Sequence, residues 1–200
     1  MKRRRDHAYQ APVVPSIFRP RDLDRLGLSR TQLRSMLRAG EVDQIGRGLY
    51  RHHAVEPTEL ETVATICARV PNAIVCLLSA LAIHDLGTQQ PPNVWIALDR
   101  KARKPRFDDI AVQVVRFSGR MLRYGVTTRL IQGVPMRITS PARTVVDCFR
   151  YRNKLGLDIA LEALRDVLGR KLATVDELVR VAQDCRIYSV MKPYLQVILS

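Results

Sequence analysis

The stretch Ser29–Arg51, SRTQLRSMLRAGEVDQIGRGLYR, decides the fold of the first part of this 200-residue chain. Its first residues include Ser29 and Gln32 at the spacing of a capping box, in which the two side chains bond free backbone N–H groups at the start of a helix. Gly40 follows the apolar residues and is the residue type that most often ends a helix in the left-handed conformation. The pattern therefore predicts a helix from Ser29 to Ala39.

The second half of the stretch, GEVDQIGRGLYR, predicts a short β-hairpin. Two runs that contain apolar residues flank Gly46-Arg47-Gly48, and the glycines supply the positive φ angles that a tight hairpin turn needs. Val42 and Ile45 are three residues apart, which breaks the alternation of a strand, so we expect a bulge. The exposed tip then carries a cation, Arg47.

The segment before this stretch, SIFRPRDLDRLGL, predicts a shorter helix over Arg21–Leu26 that ends at Gly27. A short helix, a turn, a longer helix and a hairpin are the order of a winged helix-turn-helix, whose second helix enters the major groove of DNA. We therefore predict a DNA-binding domain over residues 16–56. The residues predicted to contact DNA here are Arg30, Thr31, Arg34, Ser35 and Arg38 of the helix, and Arg47 and Arg51 of the hairpin.

These residues have different expected roles. Arg30, Arg34 and Arg38 are spaced by four and share one helix face. The residues expected at base edges, where arginine pairs with guanine, are Thr31, Arg34, Ser35 and Arg38, whereas Arg30 is expected at phosphate. Arg47 and Arg51 are expected at phosphate or in the minor groove. The same order of elements also occurs in protein-docking modules, and an arginine stripe is often only a solvated face.

The charge of the chain favours nucleic acid as the partner. The sequence has 33 Lys and Arg residues against 19 Asp and Glu, a net charge of +14. Residues 1–52 contain 12 of the basic residues and 5 of the acidic ones. A membrane surface is the competing partner, but it favours cations along one face of a long amphipathic helix. Here the cations are spread over loops, short helices and a hairpin, so DNA is the predicted partner.

The ends and the cysteines limit the class of protein. Residues 1–15 predict a disordered basic arm, in which Lys2–Arg5 adds non-specific affinity for DNA. No apolar segment typical of a secretory signal follows it, and no long apolar run predicts a membrane span. We expect a cytoplasmic protein without a cofactor or a bound metal, whose four cysteines are buried free thiols: Cys67, Cys76, Cys148 and Cys185.

The rest of the chain, 57–200, predicts an α+β domain that begins at Pro57-Thr58. We expect a small, mostly antiparallel sheet between helices, and the turn pair Gln132-Gly133 predicts a tight hairpin between the last two strands. Ser140 and Thr174 are expected to cap helices. The predicted strands are Asn93–Leu98, Ile110–Phe117, Val126–Ile131 and Val134–Thr139.

Two longer motifs in this part resemble the AbiEi antitoxin family. They are LSALAIHDLGTQQPPNVWIAL (Leu78–Leu98) and ITSPARTVVDCFRYRNKLGLDIALEALRD (Ile138–Asp166), and GEVDQIGRGLYR resembles that family's N-terminal domain. The resemblance covers roughly residues 17–185. It implies a winged helix-turn-helix that represses its own operon at inverted repeats in double-stranded DNA. It also implies a C-terminal domain that counteracts an AbiEii-like nucleotidyltransferase toxin in type IV toxin–antitoxin and phage-defence systems.

Enzymatic alternatives rest on short motifs. Asp99-x-Lys101 at a strand end is compatible with a metal-dependent nuclease, although an ordinary turn with solvated charges is expected. His84-Asp85 lacks a nucleophile motif, so His84 is expected to be structural. No phosphate-binding loop is present, and we expect no enzymatic activity.

Further basic residues have open roles. Lys101, Arg103 and Lys104 are predicted to contact a second stretch of DNA backbone. Arg143 and Asp147 are spaced for a helical ion pair of about 0.3 kcal/mol. The remaining cations of that helix, Arg150, Arg152 and Lys154, are compatible with DNA, an acidic toxin or solvent. We expect a repressor and antitoxin that is a monomer or weak dimer, with an orphan regulator without a toxin as the alternative.

Overall fold

A computed structural model describes residues 16–53 and 60–199, and the chain divides into two compact units. Unit 1 ends at Arg69 and also includes Ile131–Val134, and unit 2 contains the remainder. The first unit thus continues beyond the segment 16–56 that we predicted as the DNA-binding domain. The predicted basic arm, 1–15, and the predicted boundary at Pro57-Thr58 lie outside the described residues.

Unit 1 combines a small sheet with two α-helices. The sheet has the order β1-β3-β2, and β3 pairs antiparallel with both of its neighbours. Its core is a compact group of apolar side chains from the sheet, the first turn and the first α-helix. The elements are β1 (Ile17–Phe18), a 3-10 helix (Pro20–Asp22), α1 (Arg30–Ala39), β2 (Val42–Gly46), β3 (Leu49–His52) and α2 (Glu61–Arg69).

The predicted first helix over Arg21–Leu26 is not an α-helix. The chain forms the 3-10 helix and then a series of turns up to Gly27, which has a φ of +67°. A segment this short forms too few backbone hydrogen bonds to offset the cost of starting an α-helix. The turns still bury Leu23 and Leu26, so the apolar pattern identified the inward side chains correctly.

The start and end of α1 follow the sequence rules. The N–H of Gln32 donates to Ser29 Oγ over 3.1 Å, and the N–H of Ser29 donates to Gln32 Oε1 over 2.7 Å, which confirms the capping box. Gly40 has a φ of +70° and follows the last helical residue. Leu33 is the buried residue of this helix, so most of the helix surface remains exposed.

The β2–β3 hairpin contains the predicted bulge. Gln44 pairs with Tyr50 and Gly46 with Leu49, so Ile45 is the extra residue in the first strand. Arg47 and Gly48 form the turn, where Gly48 has a φ of +61°. The bulge explains why the apolar residues of β2 do not alternate.

Unit 2 is a layered α+β structure in which a five-stranded sheet of order β6-β5-β4-β8-β7 accompanies a group of helices. The four strands predicted after residue 90 are confirmed to within two residues at each end. Apart from Ile131–Val134, which are grouped with unit 1, its elements are β4 (Ile74–Val75), α3 (Leu77–His84), β5 (Val94–Asp99), β6 (Val112–Phe117), a 3-10 helix (Gly119–Leu122), β7 (Val126–Ile131), β8 (Val134–Thr139), α4 (Pro141–Arg150), α5 (Arg152–Leu155), α6 (Leu157–Gly169), α7 (Val175–Asp184) and α8 (Tyr188–Leu199).

The sheet of unit 2 mixes strand directions, whereas we predicted a mostly antiparallel sheet. β4 pairs antiparallel with β5, but β5 pairs parallel with β6 and β4 pairs parallel with β8. The parallel partners are joined by crossovers, and a local alternation pattern carries no information about which distant strand becomes a neighbour. The hairpin prediction is confirmed, because Gln132 and Gly133 at the β7–β8 turn both have positive φ.

Helix α4 forms the centre of unit 2 and contains a buried ion pair. Arg143 Nε lies 2.9 Å from Asp147 Oδ2, and both side chains are 0% exposed. The predicted ion pair is therefore present, but it is buried, because Phe117 of β6 and the residues around Tyr124 and Gly125 pack against Arg143. Arg143 also donates to the Tyr124 carbonyl over 2.5 Å. Burial raises the pKa of Asp147 to about 6, although the arginine opposes this shift.

The caps, the cysteines and the helix lengths complete the description. Ser140 Oγ accepts from the N–H of Arg143, and Thr174 Oγ1 accepts from the N–H of Glu177, which confirms both predicted caps. All four cysteines are buried free thiols, and burial raises their pKa values. Among the described residues, no helix is both long enough and apolar enough to cross a membrane.

Candidate nucleic-acid interface

The exposed face of α1 carries the residues predicted to read DNA. Five side chains that we predicted to contact DNA are exposed on this helix: Arg30, Thr31, Arg34, Ser35 and Arg38. Ser29 and Gln32 bond each other at the helix start, so the N-terminal turn is fixed without using the arginines. Within the described part of the chain, no ion pair neutralises the three arginines. The helix therefore presents unpaired cations to solvent.

The hairpin turn exposes Arg47, as predicted. A contact from α2 holds the strand beside it, because Arg69 Nη2 donates to the Ile45 carbonyl over 2.9 Å. A Cβ placed on Gly46 would lie 3.3 Å from the same guanidinium nitrogen, so the glycine allows this close approach. The bulged residue of β2 thus supplies the carbonyl that anchors the hairpin to α2.

Arg51, which we predicted at phosphate or in the minor groove, forms ion pairs within unit 1. Its guanidinium lies 2.9 Å from Glu61 Oε1 and 3.2 Å from Asp43 Oδ2. Asp43 also accepts from His53 at 2.6 Å, and these hydrogen bonds from His53 and Arg51 lower the pKa of the aspartate. Two carboxylates already satisfy this arginine, so its position in the structure is that of an internal tie between β3 and α2.

A third arginine joins the opposite edge of the small sheet to α2. Arg19, which follows β1, donates through its guanidinium to the Ala68 carbonyl. Together with Arg69 and Arg51, it connects α2 to all three strands of the sheet or their immediate ends. Sequence reasoning missed these ties because it assigned α2 to the second domain, and no local spacing links residues so far apart.

In unit 2, the predicted cations Lys101, Arg103 and Lys104 are exposed in the loop that follows β5. The start of this loop is a turn in which the N–H of Lys101 donates to Asp99 Oδ1 over 2.7 Å. Arg116 donates to the Asp99 and Ala102 carbonyls and holds the same turn. Asp99 thus takes part in the strand-end turn that we expected. No cluster of potential metal ligands occurs within residues 16–53 and 60–199.

The remaining candidates of unit 2 have structural partners. His84 Nε2 lies 2.7 Å from the Thr139 carbonyl, and burial lowers the pKa of this histidine. Asp85 ends α3 with a φ of +57° and forms an ion pair with Arg170. His84 and Asp85 thus bond different residues, Thr139 and Arg170, and not each other. This arrangement differs from that of a catalytic pair, in which the two side chains are bonded together.

The other basic side chains of α4 and α5 also contact their own unit. Arg150 donates to the Cys185 carbonyl at the end of α7, and Arg152 donates to the Phe149 carbonyl over 3.0 Å. Lys154 Nζ lies 5.1 Å from the centre of the Trp95 ring, within cation–π distance. Each of the three cations thus has a contact within unit 2, while Arg150 and Lys154 remain exposed.

Comparisons with known proteins agree with the resemblance. Residues 14–52 match the family described as "Transcriptional regulator, AbiEi antitoxin", which confirms the family resemblance for this segment. In fold, the chain is similar to the crystal structure of the RV2827C protein from Mycobacterium tuberculosis, with a TM-score of 0.53 and 18% identity over 90% of this chain and 73% of that chain. A search of curated proteins finds no match.

Proposed function

Because residues 14–52 match transcriptional regulators of the AbiEi antitoxin type, we propose that this chain regulates transcription by binding DNA through unit 1. The observation that carries the proposal is the unpaired arginine face of α1 beside a hairpin that ends in an exposed Arg47. Both elements lie inside the matched segment. A net charge of +14 adds long-range attraction to a polyanion.

In the proposed mechanism, unit 1 is a winged helix-turn-helix and α1 enters the major groove. Thr31, Arg34 and Ser35 face base edges near the start of the helix, where recognition helices make most of their base contacts. Arg30 and Arg38 flank them and contact phosphate or a neighbouring base. Leu33 packs into the core of unit 1 and holds the helix there.

The hairpin acts as the wing in this mechanism. Arg47 contacts phosphate or the minor groove, and the contact contributes affinity for every sequence. Arg51 supports the hairpin through its carboxylate partners instead of contacting DNA. In unit 2, the loop after β5 is proposed to contact a further stretch of DNA backbone through Lys101, Arg103 and Lys104.

Binding titrations test the proposal with matched variants. Arg34→Ala is expected to cost about 1–3 kcal/mol on the DNA upstream of the gene and to reduce the preference over scrambled duplex. Arg47→Ala is expected to weaken both duplexes alike and to lower the salt dependence by about one counterion. Arg165→Ala, an exposed arginine on α6, is the control. Equal, unchanged binding by all three variants would contradict the proposed interface.

We also propose a second role for unit 2, that of an antitoxin domain. The motifs Leu78–Leu98 and Ile138–Asp166, which resemble the AbiEi family, lie in this unit. In this role the protein represses its own operon at inverted repeats, as a monomer or weak dimer, and counteracts a nucleotidyltransferase-like toxin in phage defence. An orphan regulator would perform the first task alone.

Rescue of cells that express a neighbouring nucleotidyltransferase-like toxin separates these roles. The full chain with Arg34→Ala and Arg47→Ala is expected to rescue growth while repression is lost. If rescue disappears with repression, unit 2 has no separate antitoxin activity. Incubation of the full chain with Mg²⁺ or Mn²⁺ and DNA tests the nuclease alternative, for which degradation would be required and intact DNA is expected.

A further inference from the structure

Unit 1 contains an open cleft of about 480 Å³ between the 3-10 helix, the start of α1 and the hairpin turn. Arg21 and Arg30 line it from the first two elements, and Gly48 lines it from the third. Sequence reasoning assigned Arg30 to phosphate but gave Arg21 no role. The cleft brings both arginines to one site beside the proposed recognition helix.

The two arginines are available to a ligand. Both are exposed, and neither forms an ion pair or hydrogen bond within the described residues. Arg19 also lines the cleft, but its guanidinium already donates to the Ala68 carbonyl. Asp24 is the acidic residue of the lining. Two unpaired cations thus oppose one carboxylate, which leaves the cleft with a positive potential.

The remaining walls of the cleft are apolar or bare backbone. Pro20, Leu23 and Leu28 contribute the apolar lining. Gly48 contributes no side chain, and a Cβ built there would meet only Pro20 Cδ, at 4.0 Å. An apolar wall flanked by two guanidinium groups matches a sugar with an attached phosphate, because arginine binds phosphate oxygens through charge-assisted hydrogen bonds.

We propose that this cleft binds a phosphodiester group of the DNA backbone, with Arg21 and Arg30 as its paired contacts. The inference rests on the proposed DNA-binding function and adds a defined backbone site to it. Such a contact carries no sequence information itself, but it fixes the register of α1 in the major groove. The cleft thereby couples non-specific affinity to the orientation of the base-reading residues.

Arg21→Ala tests the cleft, and Arg25→Ala is its matched control. Arg25 is an exposed arginine of the same segment that does not line the cleft, so both variants lose one charge. In titrations of the full chain, Arg21→Ala is expected to weaken binding to upstream and scrambled duplexes by a common factor of about ten and to lower the salt slope by about one. Arg25→Ala is expected to change affinity less than about two-fold.

Neutral methylphosphonate links, introduced one at a time into the duplex, identify the phosphate. At one position, the neutral link is expected to weaken DNA binding by the wild-type protein. The same link is expected to have no further effect on binding by Arg21→Ala, because the two changes remove the same contact. The proposal would be overturned if Arg21→Ala and Arg25→Ala reduced DNA affinity equally. It would also be overturned if the effect of Arg21→Ala added to the effect of the neutral link at every position. Circular dichroism of both variants confirms that they are folded.

Two further arms separate the possible failures. If Arg34→Ala still reduces sequence preference while Arg21→Ala binds like wild type, the cleft proposal fails and the proposed function stands. If no variant of α1 or the hairpin affects binding, the proposed function fails.

Competition by inorganic phosphate, at matched ionic strength, is expected to be absent. Millimolar competition that Arg21→Ala abolishes would assign the cleft to a free anion and overturn the backbone site.

Discussion

Replacing Arg143 by methionine is expected to destabilise unit 2 strongly while leaving unit 1 intact. The side chain is 0% exposed and bonds Asp147 Oδ2 at 2.9 Å and the Tyr124 carbonyl at 2.5 Å. Arg143→Met leaves a buried carboxylate without its cation. Among the described residues, Asp147 Oδ1 has no hydrogen-bond partner, so none of them compensates for the loss of the arginine.

The magnitude follows from the burial of the pair. Removing one partner of a fully buried ion pair costs about 3–5 kcal/mol, because the remaining charge is neither hydrated nor paired. The double variant Arg143→Met with Asp147→Leu removes both charges and is expected to be more stable than Arg143→Met alone. Replacement of a buried pair by apolar groups is often neutral or stabilising.

The assay uses urea unfolding followed by the fluorescence of Trp95. This residue is the one tryptophan of the chain and lies in β5, so its signal reports on unit 2. DNA titration of the folded variants is the control for unit 1. A second control is Arg165→Met, which removes an exposed arginine from α6 and is expected to change stability by less than about 0.5 kcal/mol.

The pH dependence gives an independent check. Burial raises the pKa of Asp147 to about 6 in the folded protein, against an ordinary value of 3.8. Loss of the arginine raises this pKa further, because the positive charge favours the carboxylate. The folded variant then holds its proton more tightly than the unfolded chain, so its stability is greatest at low pH and falls as pH rises through the folded pKa.

Arg143→Met should therefore be less destabilised at pH 5 than at pH 8, relative to the wild-type protein. A loss of stability below about 1 kcal/mol at neutral pH would refute the reasoning, since that value is typical of exposed pairs. A loss that does not vary with pH would refute it as well. Either result would mean that Asp147 reaches water or another donor in solution.

Three further predictions concern the hairpin, a close contact and an acidic group. Arg69→Ala removes the bond to the Ile45 carbonyl and should weaken binding of upstream and scrambled duplexes in titrations, although Arg69 is not proposed to contact DNA. Gly125→Ala places a Cβ 2.8 Å from Arg143 Cβ at a φ of +60° and should lower the unfolding free energy of unit 2 by about 1–3 kcal/mol in urea. Histidine and arginine partners lower the pKa of Asp43, so its contribution to stability is present above the unfolded pKa and is lost as pH falls through the folded pKa. Asp43→Asn should flatten that acidic limb in pH-dependent thermal melts.

Local rules predicted the parts of unit 1 that present side chains to solvent. The capping box at Ser29, the end of α1 at Gly40 and the bulged hairpin all depend on residues within a few positions of each other. The comparison of Val42 and Ile45 was enough to detect the bulge, because each strand residue alternates with its neighbour. The exposed arginines of α1 followed from the helix period.

Long-range arrangement could not be predicted in this way. The ties from α2 to the hairpin join positions such as Arg69 and Ile45, whose partnership depends on the folded backbone. The parallel pairing of β4 with β8 could not be predicted either, because β4 has two residues and therefore shows no alternation of apolar and polar side chains. The burial of Arg143 depends on Phe117 and on the segment around Tyr124 and Gly125, which are distant in sequence, so the pattern of α4 alone cannot predict it.

The buried cysteines make the protein suited to site-specific labelling. Maleimide dyes react with an accessible thiolate, and all four native thiols are enclosed with pKa values raised by burial. A single exposed cysteine, for example from Ala39→Cys at the end of α1, should therefore take up the dye without removal of the native residues. Fluorescence from that position would follow DNA binding at the helix itself, in the otherwise native chain.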